Sequence, residues 1–324
     1  MNSPVPAWAW IAFHIVVFGI LALDLGVINR KSHTQSVKSA LLWTGFWILL
    51  SMGFAGVIWE SMGRQKALEF LTGYVVEYAL SVDNIFVFLL VFGYFRVPAE
   101  HQHKVLFWGI IGAFIMRALM IFLGSALITR FEWIIYIFGF FLIYTGIKLA
   151  FGKESEVDPG KNPMIVLLRR FMPVTPDYVG GQFLTKIDGK TFATPLLAVL
   201  LVIETTDLVF AVDSIPAIFA VVKSRDPFII YTSNICAILG LRSLYFALAG
   251  IMDLFHYLKY GLSAVLSFVG VKMLLSHTKF EIPTPVSLVV IVAILGGSIL
   301  LSILRPKKET LEDESPVRLA KHED

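Results

Sequence analysis

Five carboxylates fall where water is scarce. Glu77 and Asp83 lie inside the apolar stretch Ala67–Phe92, and Glu204, Asp207 and Asp213 inside Thr194–Val222. An ionised side chain at the centre of a bilayer costs at least ~2.5–3.5 kcal/mol, so five unpaired ones cost on the order of 12 kcal/mol. That rivals the whole stability of a domain, about 5–15 kcal/mol. Such groups must be protonated, paired, hydrated or bound to a cation. The bases available at the same depth are Arg117 and Arg242. Pairing with them accounts for one carboxylate each; a divalent cation with a proton or two cancels the remainder.

The donor atoms narrow the cation. Asn84, Thr205, Thr206 and Ser214 add amide and hydroxyl oxygens to the carboxylates. An all-oxygen set suits Mg²⁺, Ca²⁺ and Mn²⁺. Cys236 is the sole cysteine, and His14 is the one histidine well inside a span, so copper and zinc have few soft ligands. Glu204 and Asp207 are three apart and share a helix face. Asp207 and Asp213 are six apart, about 240° of rotation, so a straight helix does not aim all three acids at one point. Pro216 removes the hydrogen bond to the Val212 carbonyl. This predicts a helix unwound near Asp213, with that carbonyl freed as a ligand. Gly73, four residues before Glu77, is a candidate flexible point in the other stretch.

The elements that must hold these residues are membrane helices. Of 324 residues, 57% are hydrophobic and 16% charged, against norms of roughly 45–50% and 25%. That excludes intrinsic disorder. A lone cysteine excludes a disulfide framework, and a net charge of +3, with basic residues lying mostly between apolar runs, gives no basis for nucleic-acid binding. No Lys or Arg precedes Arg30, so the first apolar run reads as a retained helix rather than a secretory signal. The expected fold is all-α: a polytopic bundle of about nine spans, near Trp8–Ile28, Ser39–Trp59, Ala67–Phe92, Val105–Ile128, Trp133–Phe151, Thr194–Val222, Phe228–Ile251, Leu258–Ser276 and Pro285–Leu304. Nine spans put the termini on opposite sides. Six basic residues (Arg64, Lys66, Arg130, Lys223, Arg225 and Lys279) fall on the N-terminal side and 17 on the other. The positive-inside rule then places the N-terminus outside and the C-terminus in the cytoplasm.

The chain repeats itself. EYALSVDN (Glu77–Asn84) aligns with DLVFAVDS (Asp207–Ser214), IMRALMIFLG (Ile115–Gly124) with GLRSLYFALAG (Gly240–Gly250), and TGIKL (Thr145–Leu149) with VGVKM (Val269–Met273). Glu77 meets Asp207, Asp83 meets Asp213, Asn84 meets Ser214, Arg117 meets Arg242, and Lys148 meets Lys272. Each copy holds three spans, so the second enters from the opposite side, and the repeat is inverted. Inverted repeats frame midplane sites in transporters. The expected divisions are two N-terminal spans in 1–66, repeat unit one in 67–151, a cytoplasmic loop in 152–193 with a short surface helix near Met164–Met172, repeat unit two in 194–276, a last span in 277–306 and a charged tail in 307–324.

Other polar residues read more simply. Asp24 is an interfacial charge and His14 a packed or pore-rim histidine. Lys148 and Lys272, at span ends, are expected to snorkel. Trp8, Trp10, Trp59 and Trp133 suit the interface belts, and Gly109, Gly112, Gly146 and Gly270 suit close helix packing.

The two acidic helices resemble the TerC family and, within it, the Alx-like membrane proteins. GYVVEYALSVDNIFVF (Gly73–Phe88) and VIETTDLVFAVDSIPAIFA (Val202–Ala220) carry the resemblance; TSNICAILGLRSLYF (Thr232–Phe246) and GVKMLL (Gly270–Leu275) support it. It covers Leu68 to Leu275 well and the flanking spans loosely. The resemblance implies a multi-pass inner-membrane manganese exporter, related in fold to LysE-type transporters. It also implies that Glu77, Asp83, Glu204, Asp207 and Asp213 serve metal transport, with Asn84 and Ser214 as neighbours of the key aspartates. The family's name refers to tellurite, an oxyanion that a carboxylate-lined site repels.

The function expected from all this is a secondary transporter exporting divalent metal, foremost Mn²⁺, in exchange for protons. There is no GxxxxGK[ST] phosphate loop and no soluble segment large enough to bind nucleotide. A rival reading is a membrane metal-delivery or assembly factor that binds Mn²⁺ for exported enzymes without sustained flux. Intramembrane catalysis has no Ser/Lys dyad, HExxH or GxGD pattern to support it. The oligomeric state is left open by the sequence.

Overall fold

The structure is a computed structural model. It describes residues 5–23, 37–151, 162–248, 257–276 and 278–305; the side chains at 22, 23, 37, 83, 86 and 242 fall outside the description. Eleven helices and one hairpin are described. The helices are α1 (Ala7–Leu23), α2 (Val37–Met62), α3 (Arg64–Tyr94), α4 (Ala99–Arg130), α5 (Ile134–Phe151), α6 (Pro163–Phe171), α7 (Pro195–Val221), α8 (Pro227–Leu239), α9 (Leu241–Leu248), α10 (Leu258–Leu275) and α11 (Thr284–Leu304). The hairpin is β1 (Leu184–Ile187) with β2 (Lys190–Ala193). The chain is thus an all-α polytopic membrane protein. Many large apolar side chains, such as Leu49, Phe140 and Leu304, face outward, as a lipid environment permits.

Among the described residues, seven helices are long and apolar enough to cross a membrane. The two remaining expected spans are shorter. The first is apolar over Ala7–Leu21, and 24–36 lies outside the description, Asp24 with it. The second stops at Gly240, where α8 gives way to the separate helix α9, and 249–256 is again undescribed.

The third helices of the two repeat units, α5 and α10, make the most intimate contact. A methyl on Gly270 would lie 2.7 Å from the Gly139 carbonyl oxygen, and one on Gly146 would lie 2.8 Å from the Ser263 carbonyl oxygen. Ser263 Oγ donates to the Gly146 carbonyl at 2.6 Å. The two contacts fix an antiparallel crossing. They also exchange with one another: the offset of 124 residues that aligns Lys148 with Lys272 carries Gly139 onto Ser263 and Gly146 onto Gly270. Small residues are needed because helices in lipid are held by close van der Waals approach rather than by expulsion of water.

Three expectations need correction. The helix carrying Asp213 is not unwound at Pro216; α7 is helical throughout Pro195–Val221. Its residues from Ser214 to Phe219 are all buried, and packing on every side holds the path despite the missing donor. Gly73 is not a flexible point: a Cβ there would meet Ser233 Oγ of α8 at 2.8 Å, so it serves close approach. Lys272 does not snorkel; it is 3% exposed, and its Nζ has no hydrogen-bond partner among the described residues. Lys148, its counterpart, is exposed.

The described part of the segment before α7, residues 162–194, holds a helix and a hairpin. Asn162 caps α6, its side chain accepting from Met164 N at 2.9 Å ahead of Pro163 at the first turn. The hairpin turns on Asp188 (φ 50°) and Gly189 (φ 76°), the positive-φ pair of a two-residue primed turn. The loop docks on the helix ends: Tyr178 Oη donates to the Phe95 carbonyl at 2.8 Å, and Lys104 Nζ to the Gly181 carbonyl at 2.5 Å. Burial raises the Tyr178 phenol above its ordinary value.

Candidate cation site

Four helices meet around one guanidinium. Arg117 of α4 is 1% exposed, and its Nη1 donates to Glu77 Oε1 of α3. The same nitrogen donates to Ser214 Oγ of α7 at 2.9 Å and Asn234 Oδ1 of α8 at 3.1 Å. Its Nη2 lies 3.5 Å from Asp207 Oδ1 of α7. Asn84 Nδ2 of α3 donates to that same Asp207 oxygen at 3.2 Å, and Ser81 Oγ to Glu77 Oε1 at 3.3 Å. The arginine of the first repeat unit therefore binds one acid from each unit. Two ionised carboxylates against this one guanidinium would leave one negative charge in excess among the described side chains.

The second oxygens of these groups are unsatisfied. Glu77 Oε2, Asp207 Oδ2 and Asn84 Oδ1 are buried and have no hydrogen-bond partner among the described residues. A buried polar oxygen left bare costs ~1–3 kcal/mol, more when charged. Three such acceptors beside an excess negative charge form a donor set for a hard cation. Among the described residues, no three His, Cys, Asp or Glu side chains already stand together as a metal site.

The other expected residues are spread along α7. Glu204 shares the α4-facing side with Asp207, as their spacing requires. Its carboxylate fills the space beside Gly112, where an added Cβ would fall 1.9 Å from Glu204 Oε1. Asp213 points elsewhere, toward α5, and accepts from Thr145 Oγ1 at 3.3 Å. The hydroxyls of Thr205 and Thr206 donate to the Leu201 and Val202 carbonyls at 2.6 and 2.7 Å, so they are engaged by their own helix. Asp83 belongs to α3, with its side chain outside the description. Glu77, Asn84, Asp207 and Ser214 thus come together, while Glu204 and Asp213 do not join them. His14 is packed, with Nδ1 2.8 Å from the Trp10 carbonyl and Nε2 2.9 Å from Tyr231 Oη.

Sequence reasoning missed Asn234, Thr145 and Glu69. Asn234 had a signal in sequence, an amide set inside the largely apolar stretch Phe228–Leu239, and the structure buries it fully. Glu69, 1% exposed, accepts from Ser224 N at 3.2 Å, from Ser224 Oγ, and from Gln65 Nε2 at 3.1 Å. With Lys66–Asp226 at 2.5 Å and Lys223–Glu281 at 2.6 Å, it joins the helix ends on one face of the bundle.

Comparison with known proteins follows the same residues. The integral membrane protein TerC family matches over residues 62–310. The chain is 49% identical over 304 residues to an uncharacterised membrane protein of Myxococcus xanthus, covering 94% of each chain. It is 44% identical over 311 residues to a Salmonella typhi protein named as a candidate membrane-bound redox modulator, Alx, covering 93% of this chain and 96% of the relative. The Escherichia coli K12 protein of the same name is 45% identical over 304 residues, 91% of this chain and 94% of the relative. No solved structure matches the chain. The shared span contains both acidic helices and the arginine between them, and the chain belongs to the TerC family of integral membrane proteins.

Proposed function

We propose that this protein is a secondary transporter that exports a divalent cation, foremost Mn²⁺, across the inner membrane, with its N-terminus outside and C-terminus in the cytoplasm. The observation that carries this reading is the set of bare buried oxygens, Glu77 Oε2, Asp207 Oδ2 and Asn84 Oδ1, beside a carboxylate pair that one arginine does not neutralise. A hard cation entering there competes with Arg117 for Glu77 and Asp207. Ca²⁺ and Mg²⁺ take the same oxygen donors, and Mn²⁺ is favoured over Mg²⁺ by the usual affinity order and by easier loss of its waters. Protons compete for the same carboxylates, so inward protons can exchange for outward metal. The inverted relation of the two units supplies two arrangements of one site.

Transport of ⁵⁴Mn into inverted vesicles tests this. Uptake driven by an imposed proton gradient, lost in Asp207→Asn with the protein still in the membrane, is the expected result. Wild-type uptake that ignores both ΔpH and membrane potential refutes the exchange. The sealed pair of Arg117 with Glu77 favours a second reading, a metal-delivery or assembly factor that holds Mn²⁺ without flux. Stoichiometric binding without accumulation in proteoliposomes selects that one.

A further inference from the structure

A large cavity lies away from the acids. It is a groove of about 960 Å³ between α1 and α2, floored by Phe228, Cys236 and Leu239. Its walls are apolar, from Ala12, Phe13 and Val16 on one side to Leu50, Gly53 and Phe54 on the other. It runs along α1 from Val5 to Ile20, which at ~1.5 Å per residue is about 22 Å. Half of a ~30 Å hydrocarbon core plus one headgroup layer, out of ~40–45 Å in all, is about 20–22 Å. The groove therefore has the length of one lipid in one leaflet.

Charge is confined to one end. Lys66 and Asp226, paired at 2.5 Å, stand at the mouth beside Val5, Pro6 and Met62. The far end, at Ile20 and Leu239, is apolar. A cation and an anion side by side complement a headgroup that carries both signs. A phosphodiester meets the Lys66 ammonium, and a primary ammonium donates hydrogen bonds to the Asp226 carboxylate. A choline headgroup has no N–H to donate, and a glycerol headgroup has no positive charge.

We propose that the groove between α1 and α2 is a binding site for one phosphatidylethanolamine molecule, an acyl chain along the groove and its headgroup on Lys66 and Asp226. Gly53 gives a clean probe, because a Cβ there has open space for 4 Å around it. A bulky side chain at Gly53 starts from this open space and projects into the groove. Lys66 and Asp226 stand apart from the acids of the cation site.

The test is native mass spectrometry of the full chain released from nanodiscs of equimolar phosphatidylethanolamine, phosphatidylglycerol and phosphatidylcholine. Wild type is expected to carry one phosphatidylethanolamine. Gly53→Phe should lose that adduct at least tenfold, and Asp226→Asn should keep a lipid but lose the preference over phosphatidylglycerol. An adduct that survives in Gly53→Phe, or a wild type carrying the three lipids in their bulk ratio, overturns the proposal. So does a dimer whose interface covers α1 and α2. Should Gly53→Phe fail to fold, titration of delipidated wild type with each lipid decides: equal thermal stabilisation by all three refutes the site.

Discussion

Glu77 and Asp207, 130 residues apart and aligned by the internal repeat, share the guanidinium of one residue, Arg117. The acids that the repeat makes equivalent are thereby held together by a base from only one copy. Two carboxylates, one guanidinium and three oxygens without a hydrogen-bond partner among the described residues occupy one buried cluster. Its balance depends on what else enters.

Removal of Arg117 should be severe. Breaking a buried ion pair by deleting one partner costs ~3–5 kcal/mol, because the remaining charge stays buried. Arg117→Met is expected to lower the unfolding temperature in detergent sharply. Arg117→Met with Glu77→Gln should recover part of the loss, measured by the same melt. Equal melts for the single and double variants would show that the pair is not coupled.

Gly112 and Gly109 separate site from packing. A methyl at Gly112 invades the Glu204 carboxylate, whereas one at Gly109 meets Ile203 Cγ2 at 3.3 Å. The Glu204 carboxylate is the end of a flexible chain and can move. Gly112→Ala should therefore fold, yet lower manganese tolerance in a strain lacking its own exporters. Gly109→Ala should alter tolerance little. Identical tolerance in both variants would show that the Glu204 carboxylate takes no part in transport.

The crossing of α5 and α10 should tolerate no added methyl. In Gly270→Ala the new carbon would press on the Gly139 carbonyl, and overpacking of this kind costs ~1–3 kcal/mol. Gly297→Ala in α11 meets nothing within 4 Å and should leave the melt unchanged or raise it slightly. Thermal unfolding of the two side by side is the measurement.

The loop between α5 and α7 should loosen in alkali. Tyr178 donates to the Phe95 carbonyl, and burial raises its phenol above the ordinary tyrosine value. The contribution is present while the phenol is protonated in both states, below the unfolded value. It is lost as pH rises through the folded value. Tyr178→Phe removes a hydrogen bond of ~0.5–1.5 kcal/mol. Limited proteolysis of 172–183 should show faster cleavage in the variant at pH 8, with a further rise above pH 10 in wild type alone.

Composition, apolar length and the repeated acidic motifs determined the membrane class, the helices that carry the acids and the face shared by Glu204 and Asp207. Those properties are local: hydropathy, a period of 3.6 and the cost of charge in lipid act on a single helix. The β-hairpin was also within reach, through Asp188–Gly189 between Lys186 and Phe192. What only the tertiary structure decided was partnership. Which acid takes Arg117, that Asn234 joins it, that Pro216 leaves α7 helical, and that Lys272 is buried while Lys148 is exposed all depend on neighbours on other helices, 40 to 117 residues away for Arg117, or on packing around a whole helix. A charge count gives the sum of the cluster. The distance between two helices gives the pairs.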